Sequence, residues 1–330
     1  MKNFNILVVG AGIMGSNHVR TLESMDGVKV SVADISKEAL ARIKSKFPNA
    51  ETYDNIDNAL KNSNADACVV ATPTIYHLET AIQIAEAGFP LLVEKPLATN
   101  VEDAKKIAKA AQSNNVLLQA GHIERFNPVV AKLKVNMKNL GDIVYASAHR
   151  FGVPSFRKLD NVILDLAVHD IDVLTFLTGE RPKHVAGEEK KIISGQEDLS
   201  TLIFDYGSFL AAVESNTVIP IKVREMSVMG RGGIARLNYI NQDLSIFKAE
   251  GDKLSYGTFD ELVTRVGKGT EVRTFIQKEE PLKLELESFI RCVNNHEKPL
   301  VTGEDGVYAV AAAEAAIKST NTGKREKIGV

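Results

Sequence analysis

The 330-residue sequence is poor in cysteine, in net charge and in long apolar runs, and each shortage excludes a class of protein. Its two cysteines are too few for a disulfide-stabilised scaffold. A formal net charge of -2 gives no general attraction to nucleic acids or anionic membranes. No apolar run approaches the roughly 20 residues that cross a bilayer, and the N-terminus reads as a strand, not as a signal peptide. We therefore expect a cytoplasmic protein without nucleic-acid or membrane partners.

The chain is long enough for two domains, and its texture changes near the middle. Short apolar strands alternate with helical patterns in the first third, which predicts a doubly wound parallel sheet of the Rossmann type. Longer strands follow, joined by hairpin turns predicted at residues 205–208 and 230–233, with two helical stretches at the end. We predict an α/β fold with a dinucleotide-binding domain over residues 1–122. Residues 123–330 would form a substrate-binding and oligomerisation domain with a large open mixed or antiparallel sheet.

A glycine motif of the form GxGxxG directly follows the first predicted strand. Gly10 permits a tight turn, Gly12 lets the backbone approach a pyrophosphate, and Gly15 lets the next helix pack close to the sheet. The start of that helix would offer unpaired N–H groups to phosphates. We expect Gly10, Gly12, Ile13 and Met14 to contact a dinucleotide.

Asp34 ends the second predicted strand, about 20 residues beyond the glycine motif, where an acid that binds the adenosine ribose is expected. Its carboxylate would accept a hydrogen bond from the 2′-hydroxyl and repel a 2′-phosphate. The alternative is a cap for the helix that follows, which is compatible with this role. The sequence therefore favours NAD over NADP, although Lys37 lies nearby.

Thr72 and Pro73 close the fourth predicted strand, and His77 lies near the start of the next helix. Ligands of open α/β sheets bind outside the carboxyl ends of the strands, so we predict that these three residues contact the cofactor. The alternative for His77 is an ordinary helix-surface position.

Three large aliphatic residues over positions 91–93 indicate a strand buried on both faces, and Glu94, Lys95 and Pro96 follow it. Lys95 would lie at the floor of a cleft, with Pro96 stiffening the backbone that directs it. Glu94 and Lys95 are both predicted to contact the cofactor, and Lys95 also to be catalytic. The alternative is a solvated ion pair on an ordinary loop.

The segment after the sixth predicted strand contains His122, Arg125 and Asn127. Asn127 followed by Pro128 is a typical helix start, with the asparagine as N-cap. All three are candidate substrate-binding residues, and an exposed loop charge is the alternative for Arg125.

A helix predicted from about Asn161 is apolar over most of its surface and should be buried. Asp165, His169 and Asp172 nevertheless fall on one face of it. A carboxylate one turn from an imidazole can set its tautomer and basicity, as in a general base. We favour a catalytic site there, with a structural Asp–His bond in the core or a metal site as the alternatives. We assign no metal.

Together these motifs resemble the glucose–fructose oxidoreductase / inositol dehydrogenase (Gfo/Idh/MocA) family along nearly the whole chain. The resemblance rests on the glycine motif, Thr72-Pro73 with His77, Glu94-Lys95-Pro96, and Asp165 with His169. It implies NAD(P)-linked oxidation of a sugar or cyclitol hydroxyl, with Lys95, Asp165 and His169 around the reacting carbon. Family members differ over whether the lysine or the histidine removes the hydroxyl proton. Our hypothesis makes His169 the base, with Asp165 orienting it or binding a neighbouring substrate hydroxyl, and Lys95 polarising the reacting oxygen.

The residues around His122 and His169 resemble the branch that oxidises nucleotide sugars, notably UDP-N-acetylglucosamine 3-dehydrogenases. A diphosphate needs cationic partners, for which Arg125, Arg150, Arg157 and Lys158 are candidates. The alternatives are a dehydrogenase of a free polyol, inositol or aldose, and a non-catalytic nucleotide-binding sensor or regulator. The resemblance also implies a homodimer or homotetramer formed through the open sheet.

Overall fold

The computed structural model describes residues 4–153, 161–248 and 270–330, which divide into two compact units. The first unit contains residues 4–126 and Glu280–Glu314, and the second contains residues of 127–279 and Ala315–Gly329. Residues 280–314 therefore pack with the N-terminal part of the chain, although they were predicted to belong to the second domain. Within the described part of the chain, no helix combines the length and the apolar character needed to cross a membrane.

The first unit is built on a six-stranded parallel sheet in the order β3-β2-β1-β4-β5-β6. Its strands are β1 (Phe4–Val9), β2 (Val28–Ala33), β3 (Glu51–Tyr53), β4 (Ala67–Val70), β5 (Leu91–Glu94) and β6 (Leu118–Gly121). Its helices are α1 (Ile13–Glu23), α2 (Lys37–Lys46), α3 (Ile56–Asn62), α4 (His77–Glu86) and α5 (Val101–Ser113). The predicted Rossmann topology is confirmed.

Apolar layers cover both faces of this sheet, which explains the runs of aliphatic residues without alternation in β4 and β5. Leu91 and Val93 pack on the side of α4 and α5, whereas Leu92 packs on the side of α1 and α2. Phe289 joins the second layer from a C-terminal helix. The sheet is therefore doubly wound, and the C-terminal region completes one of its faces.

The second unit is built on a nine-stranded mixed sheet in the order β14-β13-β12-β11-β7-β10-β9-β8-β15. The strands are β7 (Ile143–Phe151), β8 (His184–Lys190), β9 (Leu199–Asp205), β10 (Leu210–Asn216), β11 (Val223–Gly230), β12 (Gly233–Asn238), β13 (Asp243–Lys248), β14 (Thr270–Thr274) and β15 (Glu326–Lys327). Only β7 and β10 pair in parallel among the strands of this sheet that the structure describes. The predicted hairpin turns after Asp205 and Gly230 are confirmed.

The remaining α-helices of the described residues are α6 (Pro128–Asn136), α7 (Val168–Thr178), α8 (Pro281–Asn295) and α9 (Gly303–Thr322). A π-helical turn, Ile163–Ala167, leads directly into α7. A regular α-helix was predicted from about Asn161, whereas the structure has a π-helical turn followed by an α-helix. Strand β15, which pairs with β8, was not predicted.

Candidate active site

The glycine motif forms the turn between β1 and α1. Gly10 adopts φ +105°, and a Cβ there would lie 2.6 Å from the Ala71 carbonyl oxygen. A Cβ on Gly15 would overlap the Gly10 carbonyl oxygen, whereas Gly12 faces open space. Helix α1 begins at Ile13 without a side-chain cap and without an acidic residue in its first turn. This end of the helix therefore fits an anion such as a pyrophosphate.

Asp34 lies at the end of β2 and holds the glycine motif in place. Its Oδ2 accepts a hydrogen bond from the Ala11 amide at 2.6 Å, and its Oδ1 accepts one from the Ser36 amide at 2.7 Å. The cap of α2 is Ser36, whose side chain accepts from Ala39. Each Asp34 oxygen retains a lone pair, so the carboxylate can also accept bonds from a ribose hydroxyl.

Two exposed apolar residues near this edge were missed in the sequence, namely Ile35 beside Asp34 and Ile75 after Pro73. They are 89 % and 62 % exposed. Ile35 follows the end of β2 by two residues, and Ile75 lies in the short helical turn Thr74–Tyr76 after β4.

His77 is buried and is not the helix-surface residue of the alternative prediction. Its Nδ1 lies 3.0 Å from the Pro96 carbonyl oxygen and its Nε2 lies 2.9 Å from the Thr72 carbonyl oxygen. Burial lowers the pKa of His77, and the two carbonyl groups act in the opposite direction. The ring therefore joins the end of β4 to the segment that follows β5.

Glu94 and Lys95 do not form the solvated pair of the alternative prediction, because Glu94 is buried. Oε1 of Glu94 lies 2.7 Å from His18 Nε2, and Oε2 accepts a hydrogen bond from the Lys95 amide at 3.2 Å. Lys95 is half-buried and follows β5, and its peptide bond to Pro96 is cis. Because β1, β4 and β5 are adjacent and parallel, the glycine motif, Thr72 and Lys95 lie at the same edge of the sheet.

The three residues predicted after β6 are buried. Arg125 pairs with Asp305 at 3.3 Å and donates to the Leu300 carbonyl oxygen at 3.2 Å, so it is not the exposed loop charge of the alternative prediction. Asn127 caps α6, as predicted, and donates to the Tyr239 carbonyl oxygen at 3.1 Å. His122 is also buried.

Asp165 lies within the π-helical turn and His169 in the first turn of α7, and both are partly exposed. A π-helical turn holds more residues than an α-helical turn, so only the part of the predicted face that lies on α7 keeps α-helical spacing. Such turns occur frequently at functional sites. Asp172, the third residue of the predicted stripe, is buried.

The structural ion pair of this helix is Arg150–Asp170, which sequence reasoning missed. Arg150 Nε donates to Asp170 Oδ2 at 2.6 Å, and Nη2 donates to Oδ1 at 2.9 Å. Both side chains are buried, so Arg150 was wrongly considered available to a diphosphate. Arg157 and Lys158 lie outside the described residues.

Two models of one protein family match the chain. The NAD-binding Rossmann fold of the Gfo/Idh/MocA oxidoreductases matches residues 4–122, and the C-terminal α/β domain of the same family matches residues 132–330. The chain belongs to the Gfo/Idh/MocA family. It is therefore an NAD(P)-dependent oxidoreductase acting on CH–OH groups, as predicted, with an NAD-binding Rossmann domain.

Relatives with different substrates are similar to this chain. UDP-N-acetylglucosamine 3-dehydrogenase of Acidithiobacillus ferrooxidans is 26 % identical over 93 % of this chain and 94 % of its own length. A solved structure of the enzyme of that name and organism has a TM-score of 0.86, with 98 % of this chain and 99 % of that chain covered at 24 % identity. The scyllo-inositol 2-dehydrogenase (NAD⁺) of Bacillus subtilis is 25 % identical over 98 % of this chain and 96 % of its own length.

Proposed function

We propose that this enzyme oxidises a secondary hydroxyl of a UDP-linked sugar to a ketone with NAD, for example at C3 of UDP-N-acetylglucosamine. The observation that carries the proposal is the position of Lys95, which follows β5 at the same edge of the sheet as the glycine motif. The similarity to a UDP-N-acetylglucosamine 3-dehydrogenase over nearly the whole chain supports this substrate class.

The chemistry needs a base for the hydroxyl proton and a group that stabilises the developing negative charge on oxygen. We assign the base to His169, whose basicity Asp165 adjusts, and the stabilising role to the Lys95 ammonium. A bound dinucleotide supplies the hydride acceptor. The same residues also allow the reverse assignment, in which Lys95 is the base and His169 stabilises the charge on oxygen.

We propose NAD over NADP because Asp34 places a carboxylate beside the glycine motif. Its negative charge favours a ribose hydroxyl over a 2′-phosphate. We expect Asp34→Ser to lower the ratio of kcat/KM for NAD to that for NADP by roughly 10- to 100-fold, since a hydrogen bond to a charged group contributes about 1.5–3 kcal/mol. Steady-state kinetics with both cofactors measure the ratio, and Asp54→Ser, an exposed aspartate, is the control. An unchanged ratio would remove Asp34 from the ribose site.

Recognition of the diphosphate is assigned to Arg157, because the contacts of Arg125 and Arg150 join them to carboxylates of this chain. The substrate-binding roles of His122, Arg125 and Asn127 stay predictions. We expect Arg157→Ala to raise the KM for a UDP-sugar by tenfold or more with little change in the KM for NAD.

A free cyclitol or sugar is the second candidate substrate, because the inositol dehydrogenase of B. subtilis is similar over as much of the chain. NADH formation with UDP-N-acetylglucosamine, N-acetylglucosamine, glucose and myo-inositol separates the two. Turnover of the UDP-sugar alone supports the proposal. Turnover of a free sugar or of inositol alone would retain the catalytic residues and reject the diphosphate site.

We further expect a homodimer or homotetramer that associates through the open face of the nine-stranded sheet. Ile203 and Leu210 are exposed on adjacent strands of this sheet. Light scattering coupled to size-exclusion chromatography measures the assembly, and a strict monomer would contradict the expectation.

A further inference from the structure

A buried polar patch lies beneath the end of β5, on the face of the six-stranded sheet covered by α1 and α8. Strand alternation and the pairing of Leu92 with Gln119 place Glu94 and Gln119 on the face that carries Leu92. His18 reaches the patch from α1 and Glu285 from α8, the helix whose neighbouring leucines join the apolar layer. We call these four polar residues (His18, Glu94, Gln119 and Glu285) the polar patch.

The polar patch is incompletely hydrogen-bonded. Glu94 is bonded on both sides, by His18 Nε2 and by the Lys95 amide. By contrast, His18 Nδ1, both Glu285 oxygens and both amide atoms of Gln119 are buried without a hydrogen-bond partner within the described residues. Glu285 itself is 0 % exposed. Because buried polar groups in native proteins are nearly always bonded, such a concentration within an apolar layer calls for an explanation.

The charges of the two carboxyl groups differ. Burial raises the pKa of Glu285 well above its usual range, and the negative charge of Glu94 acts in the same direction. Burial also acts to raise the pKa of Glu94, but the hydrogen bond and charge of His18 and the charge of Lys95 outweigh it and lower that pKa. These directions make Glu94 the more readily ionised and Glu285 the more readily protonated of the two carboxyl groups.

The charged and titratable groups that act on Glu94 come from several elements. They are His18 on α1, His77 on α4, Lys95 after β5 and Glu285 on α8. A second negative charge on Glu285 would repel Glu94 inside the protein, where charges interact strongly.

We propose that Glu94 is a positioning residue for Lys95, and that Glu285 is kept as a neutral acid so that Glu94 remains the single anion of the polar patch. The same carboxylate joins α1, which begins in the glycine motif, to the backbone of Lys95. It therefore fixes the lysine relative to the cofactor-binding turn. The kinetic part of this inference rests on the proposed function, whereas the protonation of Glu285 does not.

The protonation of Glu285 is tested first, by infrared spectroscopy of the full-length protein at neutral pH. We expect the carbonyl stretch of a protonated carboxylic acid, shifted in D₂O, in the wild-type protein and in Glu287→Gln, which changes an exposed acid on the same helix. The band should disappear in Glu285→Gln. Absence of the band in the wild type, or its persistence in Glu285→Gln, would overturn the assignment.

The positioning role is tested with Glu94→Gln, which keeps the size of the side chain and removes its charge. We expect kcat for the sugar that the enzyme turns over to fall by roughly 10- to 100-fold, as for other residues that orient a catalytic group, with the KM for NAD changed less than threefold. NADH binding measured by fluorescence shows that the variant is folded. His18→Asn, which removes the partner and leaves Glu94 in place, should show a smaller effect in the same direction.

A wild-type kcat in Glu94→Gln would overturn the positioning role, and so would a loss confined to the KM for NAD. If no sugar is turned over by the wild-type enzyme, the proposed function fails. Hydrogen exchange at the Lys95 amide then decides the positioning role, because we expect exchange to be faster in Glu94→Gln than in Glu287→Gln. Equal exchange in the two variants would refute it.

Discussion

The second unit contains a buried ion pair, Arg150–Asp170, in which two guanidinium nitrogens each donate to one carboxylate oxygen. The buried pair His18–Glu94 of the first unit instead lies near Gln119 and Glu285, whose polar atoms have no hydrogen-bond partner within the described residues. Both Asp170 oxygens accept from one guanidinium, which also lies 4.9 Å from the centre of the Tyr239 ring. In the first unit, His18 Nε2 forms a hydrogen bond with Glu94, and His18 Nδ1 has no hydrogen-bond partner among the described residues.

The difference follows from what each pair supports. Arg150 and Asp170 join β7 to α7, and this buried bidentate pair specifies that packing. Glu94 instead accepts a hydrogen bond from the Lys95 amide with its second carboxylate oxygen. Lys95 lies at the edge of the sheet where the active site is predicted. We therefore interpret Arg150–Asp170 as a structural contact. We interpret His18–Glu94, which lies beside a candidate catalytic residue and near buried polar atoms without partners, as a functional one.

The largest effect on stability is expected from breaking the Arg150–Asp170 ion pair. Arg150→Ala leaves Asp170 charged and buried without its partner, so we expect the free energy of unfolding to fall by about 3–5 kcal/mol. Urea denaturation measures the loss. Arg231→Ala, whose pair with Asp142 is exposed, is the control and should change stability by less than about 0.5 kcal/mol. A loss below 1 kcal/mol (roughly the value of an exposed pair) would mean that Arg150–Asp170 is not the structural contact described here.

An intermediate, pH-dependent effect is expected at Glu285, the buried acid near the His18–Glu94 pair. The pKa of Glu285 is raised in the folded protein, so the folded state holds a proton that the unfolded state releases above its ordinary pKa of 4.5. Stability that depends on this proton is lost as pH rises from there towards the folded-state pKa. We expect Glu285→Gln to become more stable than the wild type by up to about 1.4 kcal/mol per pH unit over this window.

Denaturation series between pH 5 and pH 8 measure this slope, with Glu287→Gln as the exposed control on the same helix. A stability difference between Glu285→Gln and the wild type that does not vary with pH would show that Glu285 is not held neutral.

The smallest effect is expected at an exposed pair of the first unit. Arg20 on α1 pairs with Glu280 at the start of α8, and the two side chains are 49 % and 41 % exposed. We expect Arg20→Ala to lower the free energy of unfolding by less than about 1 kcal/mol, since water and salt screen such pairs. A loss as large as that of Arg150→Ala would show that burial does not separate the pairs.

Much of the fold was predictable because local patterns decide it. The aliphatic run before Glu94 indicated a strand buried on both faces, and the glycines at 207 and 233 marked hairpins that the structure confirms. The positions of Gly10, Asp34 and Lys95 at one sheet edge followed from the alternation of strands and helices.

The rest depended on tertiary packing that no local pattern specifies. Amphipathic spacing indicates that α8 buries a face, but not that this face covers the first sheet. The burial of Glu285 follows from that packing, so an acid on a surface-like helix gave no signal. Asp170 and Asp172 are close in sequence on one helix, and only the structure distinguishes the aspartate that pairs with Arg150.

The central claim is that Lys95 acts in catalysis, and Lys95→Met tests it most directly. NADH formation is followed under saturating NAD with the sugar that the wild-type enzyme oxidises, beside Lys105→Met, which changes an exposed lysine. We predict that kcat falls by about 100-fold or more in Lys95→Met, with NADH binding and stability retained. A wild-type kcat in this variant would contradict the assigned role of Lys95 and the arrangement built on it.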